Sequence, residues 1–322
     1  MSGSRVAVLI PCHNEEVAIG QVVAGFRQAL PEAAIYVYDN NSTDRTREAA
    51  AAAGAVVRSE SQQGKGNVVR RMFADVEADA YLLVDGDGTY DSLAAPEMVR
   101  TLFTDGLDMV TGVRVTDAQA AYRPGHRLGN KVLTGVVRYV FGDRVTDMLS
   151  GYRCFSRRFV KSFPALAHGF ETETEFTVHA LELRLPVGEL QTAYSERPPG
   201  SASKLRTYYD GYRILRMIMA LVQRERPRLF FGVASLFLAL VGVGFFLPVL
   251  ETYLETGLVP RLPTFVASAM LMVLALLSLA CGLILDTVTR GRIEAKRIAY
   301  LSFPGPGFGI SNPLPNHSAT VS

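Results

Sequence analysis

Two carboxylates separated by one glycine, Asp85-Gly86-Asp87, directly follow an apolar run that ends at Val84. Hard oxygen ligands on one tight turn suit a divalent cation such as Mg²⁺ or Mn²⁺, which takes one or two carboxylates and fills its shell with substrate phosphates. Upstream, Gly64-Lys65-Gly66 offers backbone N–H groups and an ammonium to a phosphate at a helix start. It lacks the Gly-x-x-x-x-Gly-Lys-Ser/Thr arrangement, which excludes a P-loop ATPase. Asp39 closes another apolar run, where its carboxylate can accept hydrogen bonds from a base or ribose, or cap a turn. Asp147 and the carboxylates of Glu171, Glu173 and Glu175 are candidates for a base or an orienting group, and the glutamates equally for an acidic helix start.

An alternation of short apolar runs and helix-like stretches must position these groups. Strands are expected over 6–10, 34–38, 55–57, 81–84 and 109–113, and helices over 16–30, 44–53 and 67–76. That is the pattern of an α/β protein with a mostly parallel sheet. Ligands of open α/β sheets collect beyond the carboxyl ends of the strands. Pro11-Cys12-His13-Asn14-Glu15, Asp39-Asn40-Asn41 and Asp85-Gly86-Asp87 all fall there.

The chain has 322 residues, 48% of them hydrophobic, enough for a sizeable core. Its 33 basic and 31 acidic residues leave a net charge of +2, so no global field draws it to nucleic acid. Cys12, Cys154 and Cys281 are far apart, with neither zinc spacing nor a disulfide framework, which fits a reducing compartment. The polar start leads straight into a strand, so no cleavable signal peptide is expected.

Residues 229–250 and 264–285 are free of charge and each long enough to cross a hydrocarbon core of roughly 30 Å. Arg224, Arg226 and Arg228 precede the first run, and Arg290, Arg292, Lys296 and Arg297 follow the second; the linker holds only Arg261. The positive-inside rule places both termini in the cytoplasm of a cell whose inner membrane the hairpin crosses. Leu205, Tyr208, Tyr212, Leu215, Met219 and Val222 recur at helical spacing, with Arg206, Asp210, Arg213 and Arg216 between them. This amphipathic stretch is expected to lie in the lipid interface, or to pack on the domain core. A weaker stretch of the same kind covers 122–141. The expected organisation is a catalytic domain over 1–203, an interfacial helix over 204–228, a two-helix hairpin over 229–285 and a partly disordered tail over 286–322.

Taken together, Ile10-Pro11-Cys12-His13-Asn14-Glu15-Glu16, Asp39-Asn40-Asn41-Ser42-Thr43-Asp44, Gly64-Lys65-Gly66, Asp85-Gly86-Asp87 and Ser150-Gly151-Tyr152-Arg153 resemble family 2 glycosyltransferases of the GT-A fold. Within that family they are most similar to polyprenyl- or dolichyl-phosphate sugar synthases with C-terminal membrane helices. The resemblance implies that Pro11, Asn14, Glu15, Asp39 and Asn41 surround the nucleoside and that Lys65 meets the diphosphate. It implies Asp85 at the ribose or sugar, and Asp87 with Asp85 at the metal. Arg114, Arg127, Ser150 and Arg153 would surround the donor and acceptor phosphates, and Arg197, Ser203 and Lys204 would receive the lipid phosphate. Members of the dolichyl-phosphate mannose type carry Gln two positions after the second Asp as a further metal ligand; Thr89 stands there here.

The implied reaction is inverting transfer of a hexose or N-acetylhexosamine from a nucleotide sugar, UDP-GlcNAc or UDP-glucose before GDP-mannose, to a polyprenyl or dolichyl phosphate. A sugar hydroxyl of a glycolipid is the alternative acceptor, and a nucleotide-binding membrane adaptor the non-enzymatic alternative. A processive polysaccharide synthase would need a Gln-x-x-Arg-Trp motif, and the chain has no tryptophan.

Overall fold

A computed structural model describes residues 4–115, 135, 146–166, 172–195, 219, 222–224 and 226–307. The expected alternation appears as β1 (Val6–Cys12), α1 (Ile19–Ala29), β2 (Ala34–Asp39), α2 (Thr46–Ala52), β3 (Val56–Ser59), α3 (Lys65–Asp75) and β4 (Ala80–Leu83). A short 3₁₀ turn (Ser92–Ala94) leads into α4 (Ala95–Thr104) and β5 (Met109–Val115). Then come β6 (Arg153–Ser156), α5 (Arg157–Ser162), α6 (Thr172–Glu182) and β7 (Val187–Ala193).

Among the described residues the strands form one seven-stranded sheet in the order β3-β2-β1-β4-β6-β5-β7. Strands β1 to β4 run parallel, so their carboxyl ends share one edge, with Cys12 level with Asp39 in the register. Strand β6 enters between β4 and β5 and is antiparallel to both. The sheet is therefore mixed, with the expected parallel half intact. Alternation along each strand sends side chains to both faces. Val8, Ile10, Val37, Leu82 and Cys154 pack with Phe26 of α1 and Met98 and Leu102 of α4. Phe155, on the opposite face, meets Phe73 of α3 at 5.9 Å, Phe159 of α5 at 4.6 Å and Phe176 of α6 at 4.8 Å between ring centroids. Covering both faces explains why β4 is apolar throughout instead of alternating.

Two further helices, α7 (Pro227–Thr256) and α8 (Leu262–Leu301), are long and apolar enough to cross a membrane, and little of their apolar windows is covered by protein. The chain divides into two compact units, one of residues Met1–Gly211 with Ala295–Ser322, the other Tyr212–Glu294. Within the second unit, Gly242 and Ala275 are buried between the helices, Ser235 donates to the Ala275 carbonyl at 2.7 Å and Ser278 to that of Phe231 at 3.1 Å. Small residues and hydroxyls of this kind let apolar helices approach closely.

The organisation departs from expectation at the C-terminal side. Helix α8 continues to Leu301, so the region beyond 285 begins as helix, and its residues from Ala295 on belong to the first unit. Lys296 there pairs with Glu182 of α6 at 2.6 Å, with both side chains shielded from water. Tyr300 donates to Asp108 at 2.9 Å, and the same carboxylate takes Arg158 through Nε at 2.5 Å and an Nη at 2.9 Å. The two amphipathic stretches expected over 204–228 and 122–141 lie mostly outside the described residues.

Candidate active site

The loops beyond β1, β2 and β3 are laced to one another by side chains that resemble nucleoside ligands in sequence. Asn14, with φ 54°, accepts from the Thr43 amide at 2.8 Å, while its own amide donates to Ser42 Oγ at 2.9 Å. The Glu15 amide donates to Thr46 Oγ1 at 2.8 Å. Asn41, at φ 61°, donates to the Ser61 carbonyl at 2.8 Å. Asparagine tolerates this left-handed backbone because its short amide bonds locally. Asn40 is buried and ties three segments together: its Nδ2 donates to the Glu60 and Gln62 carbonyls and its Oδ1 accepts from the Gly64 amide at 2.7 Å. Pro11 sits in β1 opposite Tyr38. Asp39 is 3% exposed; Oδ2 accepts from the Ser42 amide at 3.3 Å, and Oδ1 is buried with no hydrogen-bond partner among the described residues.

Lys65 occupies the first position of α3, and its ammonium bridges Asp85 Oδ1 and Glu173 Oε1. Burial alone would pull this lysine down; the two carboxylates more than reverse that and hold it above the usual lysine range. Glycine is required between the two aspartates by packing, since a β-carbon at Gly86 would lie 2.5 Å from Cys12 Sγ. A β-carbon at Gly151 would run into the Asp85 carboxylate, which would have to move aside. Asp87 is 6% exposed, and its Oδ1 accepts from both the amide and the hydroxyl of Thr89, at 3.1 and 2.6 Å.

Three side chains singled out in the sequence turn inward. Arg153 is fully buried and donates to the carbonyls of Ser150 and Met148 at 3.0 and 2.7 Å and to Thr177 Oγ1 at 2.9 Å, with its guanidinium over the Phe176 ring. Burial lowers its pKa to about 10. This placement corrects its reading as a phosphate partner: it pins the 148–152 turn to α6. Ser150, also buried, donates to the Gly112 carbonyl at 2.6 Å and braces the same turn. Asp147 is gripped at both oxygens by Arg114. Burial would raise the Asp147 pKa, but the hydrogen bonds and charge of Arg114 hold it below the usual carboxylate range. Glu175 accepts from the Leu166 amide at 3.0 Å. Arg127, Arg197, Ser203 and Lys204 lie outside the described residues.

Sequence reasoning missed a tyrosine frame around the aspartates. Tyr90 accepts from the Gly151 amide at 2.9 Å and pairs across a β-bridge with Tyr194, whose neighbour Ser195 donates to the Thr89 carbonyl at 2.9 Å. Nothing in the spacing of these tyrosines announces it, because β7 is separated from the turn by most of the domain.

Among the described residues no cluster of three or more His, Cys, Asp or Glu side chains could hold a metal by itself. Asp85 and Asp87 nevertheless present the hard oxygen donors that Mg²⁺ or Mn²⁺ takes when phosphates complete the shell. The arrangement of parallel strand ends, a paired-aspartate turn and a lysine at a helix start is that of a GT-A glycosyltransferase. Residues 7–163 match the model of glycosyl transferase family 2. The chain is 34% identical over 245 residues to glycosyltransferase AglJ of Haloferax volcanii, covering 74% of this chain and 79% of that one. It is 29% identical over 231 residues to a dolichyl-phosphate hexose transferase of the same organism, covering 70% and 96%. A solved structure, glucosyl-3-phosphoglycerate synthase from Mycobacterium tuberculosis in complex with Mn²⁺ and UDP-glucose, shares the fold with TM-score 0.57 at 23% identity, over 69% of this chain and 79% of that one. The chain belongs to glycosyl transferase family 2.

Proposed function

We propose that this glycosyltransferase moves a hexose or N-acetylhexosamine from a UDP-linked sugar to a polyprenyl or dolichyl phosphate at the cytoplasmic face of a membrane. The observation that carries the reading is the convergence of Lys65, Asp85 and Asp87 at the carboxyl edge of the parallel strands. A relative named dolichyl-phosphate hexose transferase and two helices of membrane-crossing length support the lipid acceptor. The Mn²⁺ and UDP-glucose bound in the mycobacterial synthase of the same fold support the donor class.

In this reading Asp39 takes a donor N–H or O–H of the nucleoside on its unpartnered buried Oδ1. Asp87 and Asp85 hold Mg²⁺ or Mn²⁺, which supplies charge neutralisation to the diphosphate when bound. The acceptor phosphate oxygen forms a bond to the anomeric carbon from the face opposite the leaving group. The bond from that carbon to the β-phosphate oxygen breaks, and its electron pair leaves with the nucleoside diphosphate. Lys65 offsets the charge that develops there. A phosphate monoester has a second pKa near 6 and attacks as a dianion, so no base is needed; the commitment of Asp147 to Arg114 fits that economy. Arg127 is assigned to the donor and acceptor phosphates, and Arg197, Ser203 and Lys204 to the lipid phosphate. The basic flanks of the apolar pair, and the presence of residues from before and after it in one folded unit, support the cytoplasmic placement.

The test combines purified full-length protein, Mn²⁺ or Mg²⁺, labelled nucleotide sugars and polyprenyl phosphate in detergent. A sugar lipid from a UDP donor is expected. Transfer with none of the common donors overturns the acceptor assignment, and transfer from GDP-mannose alone overturns the donor assignment.

A further inference from the structure

We propose that Thr89 is a positioning residue of the donor site, fixing the plane of the Asp87 carboxylate and thereby the affinity for the divalent cation. The inference rests on the reading of Asp87 as a metal-holding carboxylate. Thr89 is 2% exposed and directs two donors, its amide at 3.1 Å and its hydroxyl at 2.6 Å, onto one oxygen, Asp87 Oδ1. Two donors on one oxygen fix both the position and the rotation of a carboxylate, where one would leave it free to swing. The hydroxyl gives its single proton to Asp87, so Thr89 acts through that carboxylate.

Thr89 is itself held. Its carbonyl accepts from the Ser195 amide at 2.9 Å, and the next residue, Tyr90, bridges to Tyr194 and accepts from the Gly151 amide. Gly151 lies against the Asp85 carboxylate, so one frame braces both aspartates. The β-branch at Thr89 restricts its rotamer, and the buried hydroxyl stays aimed at Asp87.

Outer partners of metal ligands are worth about 10- to 100-fold in metal affinity. Full-length protein, Thr89→Val and Thr89→Ser are titrated with Mn²⁺ in the presence of UDP, by electron paramagnetic resonance and calorimetry. UDP binding without metal and the thermal midpoint are recorded alongside. Thr89→Val keeps the shape and loses the hydroxyl, so Mn²⁺ affinity is expected to fall about 10- to 100-fold with metal-free UDP binding unchanged. Thr89→Ser, which restores the donor, is expected to stay within about threefold of the parent on that scale. Thr89→Ala, equally without a hydroxyl, replaces Thr89→Val if the latter does not fold, with the same expectation. A hydroxyl-free variant that binds Mn²⁺ like the parent overturns the positioning role alone. A parent protein that binds neither Mn²⁺ nor UDP overturns the donor-site reading with it.

Discussion

Arg114 holds Asp147 by both carboxylate oxygens, Nε on Oδ2 at 2.7 Å and an Nη on Oδ1 at 2.8 Å. Because the folded carboxyl titrates below the ordinary value, its stabilising contribution is present above the unfolded pKa, about 3.9, and is lost as the pH falls through the lower folded value. Asp147→Asn is expected to cost about 3 kcal/mol of stability by leaving a shielded guanidinium underpaired. It should leave the shape of the pH profile of kcat/KM unchanged near neutrality. Disappearance of a pH limb in that variant would restore Asp147 as a base.

Lys65 is shared between Asp85 and Glu173. Lys65→Met is expected to weaken UDP binding about 10- to 100-fold, matching a charge-assisted hydrogen bond of about 1.5–3 kcal/mol. Glu173→Gln removes a negative charge that competes with the diphosphate for this lysine. Calorimetry should find UDP bound several-fold more tightly in that variant, and weaker binding would show that Glu173 assists the nucleotide.

Arg153→Leu removes a buried cation together with the hydrogen bonds that fasten Met148 and Ser150. The carbonyls left behind make this a large loss, about 3 kcal/mol, read by denaturant unfolding. Arg100→Ala, at an exposed pair with Glu97, is the control and should not move the midpoint. Equal behaviour of the two variants would remove the scaffold role from Arg153.

His179 is buried beside Phe159 and Phe163, with Nε2 against Ser162 Oγ at 3.1 Å. Burial first, then the charge of Lys296, lowers its pKa to about 3. The unfolded chain binds a proton near pH 6.5 that the folded chain refuses, so stability falls as the pH drops from 6.5 toward 3. The slope from this group approaches about 1.4 kcal/mol per pH unit. Thermal midpoints of the parent and of His179→Gln across that range check it: the variant should lose the part of the slope that His179 contributes.

The strand-end clusters were legible because the parallel half of the sheet obeys simple periodicity, from Val8 and Ile10 to the apolar stretch at Leu82 and Leu83. The apolar helices declared themselves by length. Strand β6 did not, because Arg153 opens it with a charge that suits no buried strand until Thr177 and the 148–150 carbonyls supply partners. Asn14 and Asn41 read as ligands because sequence cannot separate an amide that meets a nucleoside from one that fastens a left-handed turn. Thr89 was visible only as a departure from the pattern the resemblance implies; its bond to Asp87 is a matter of rotamer and backbone direction, which no spacing encodes.

The pairing of Lys296 with Glu182, across 114 positions of sequence, bears on how the protein is made. During synthesis, the buried acids Glu182 and Asp108 emerge long before Lys296 and Tyr300, with the charge-free runs 229–250 and 264–285 in between. The charge pairing of Glu182 is therefore deferred until the segment that carries Lys296 has been made. A chain ended ahead of α7 would lack the cation that Glu182 meets here, while Asp108 would keep Arg158.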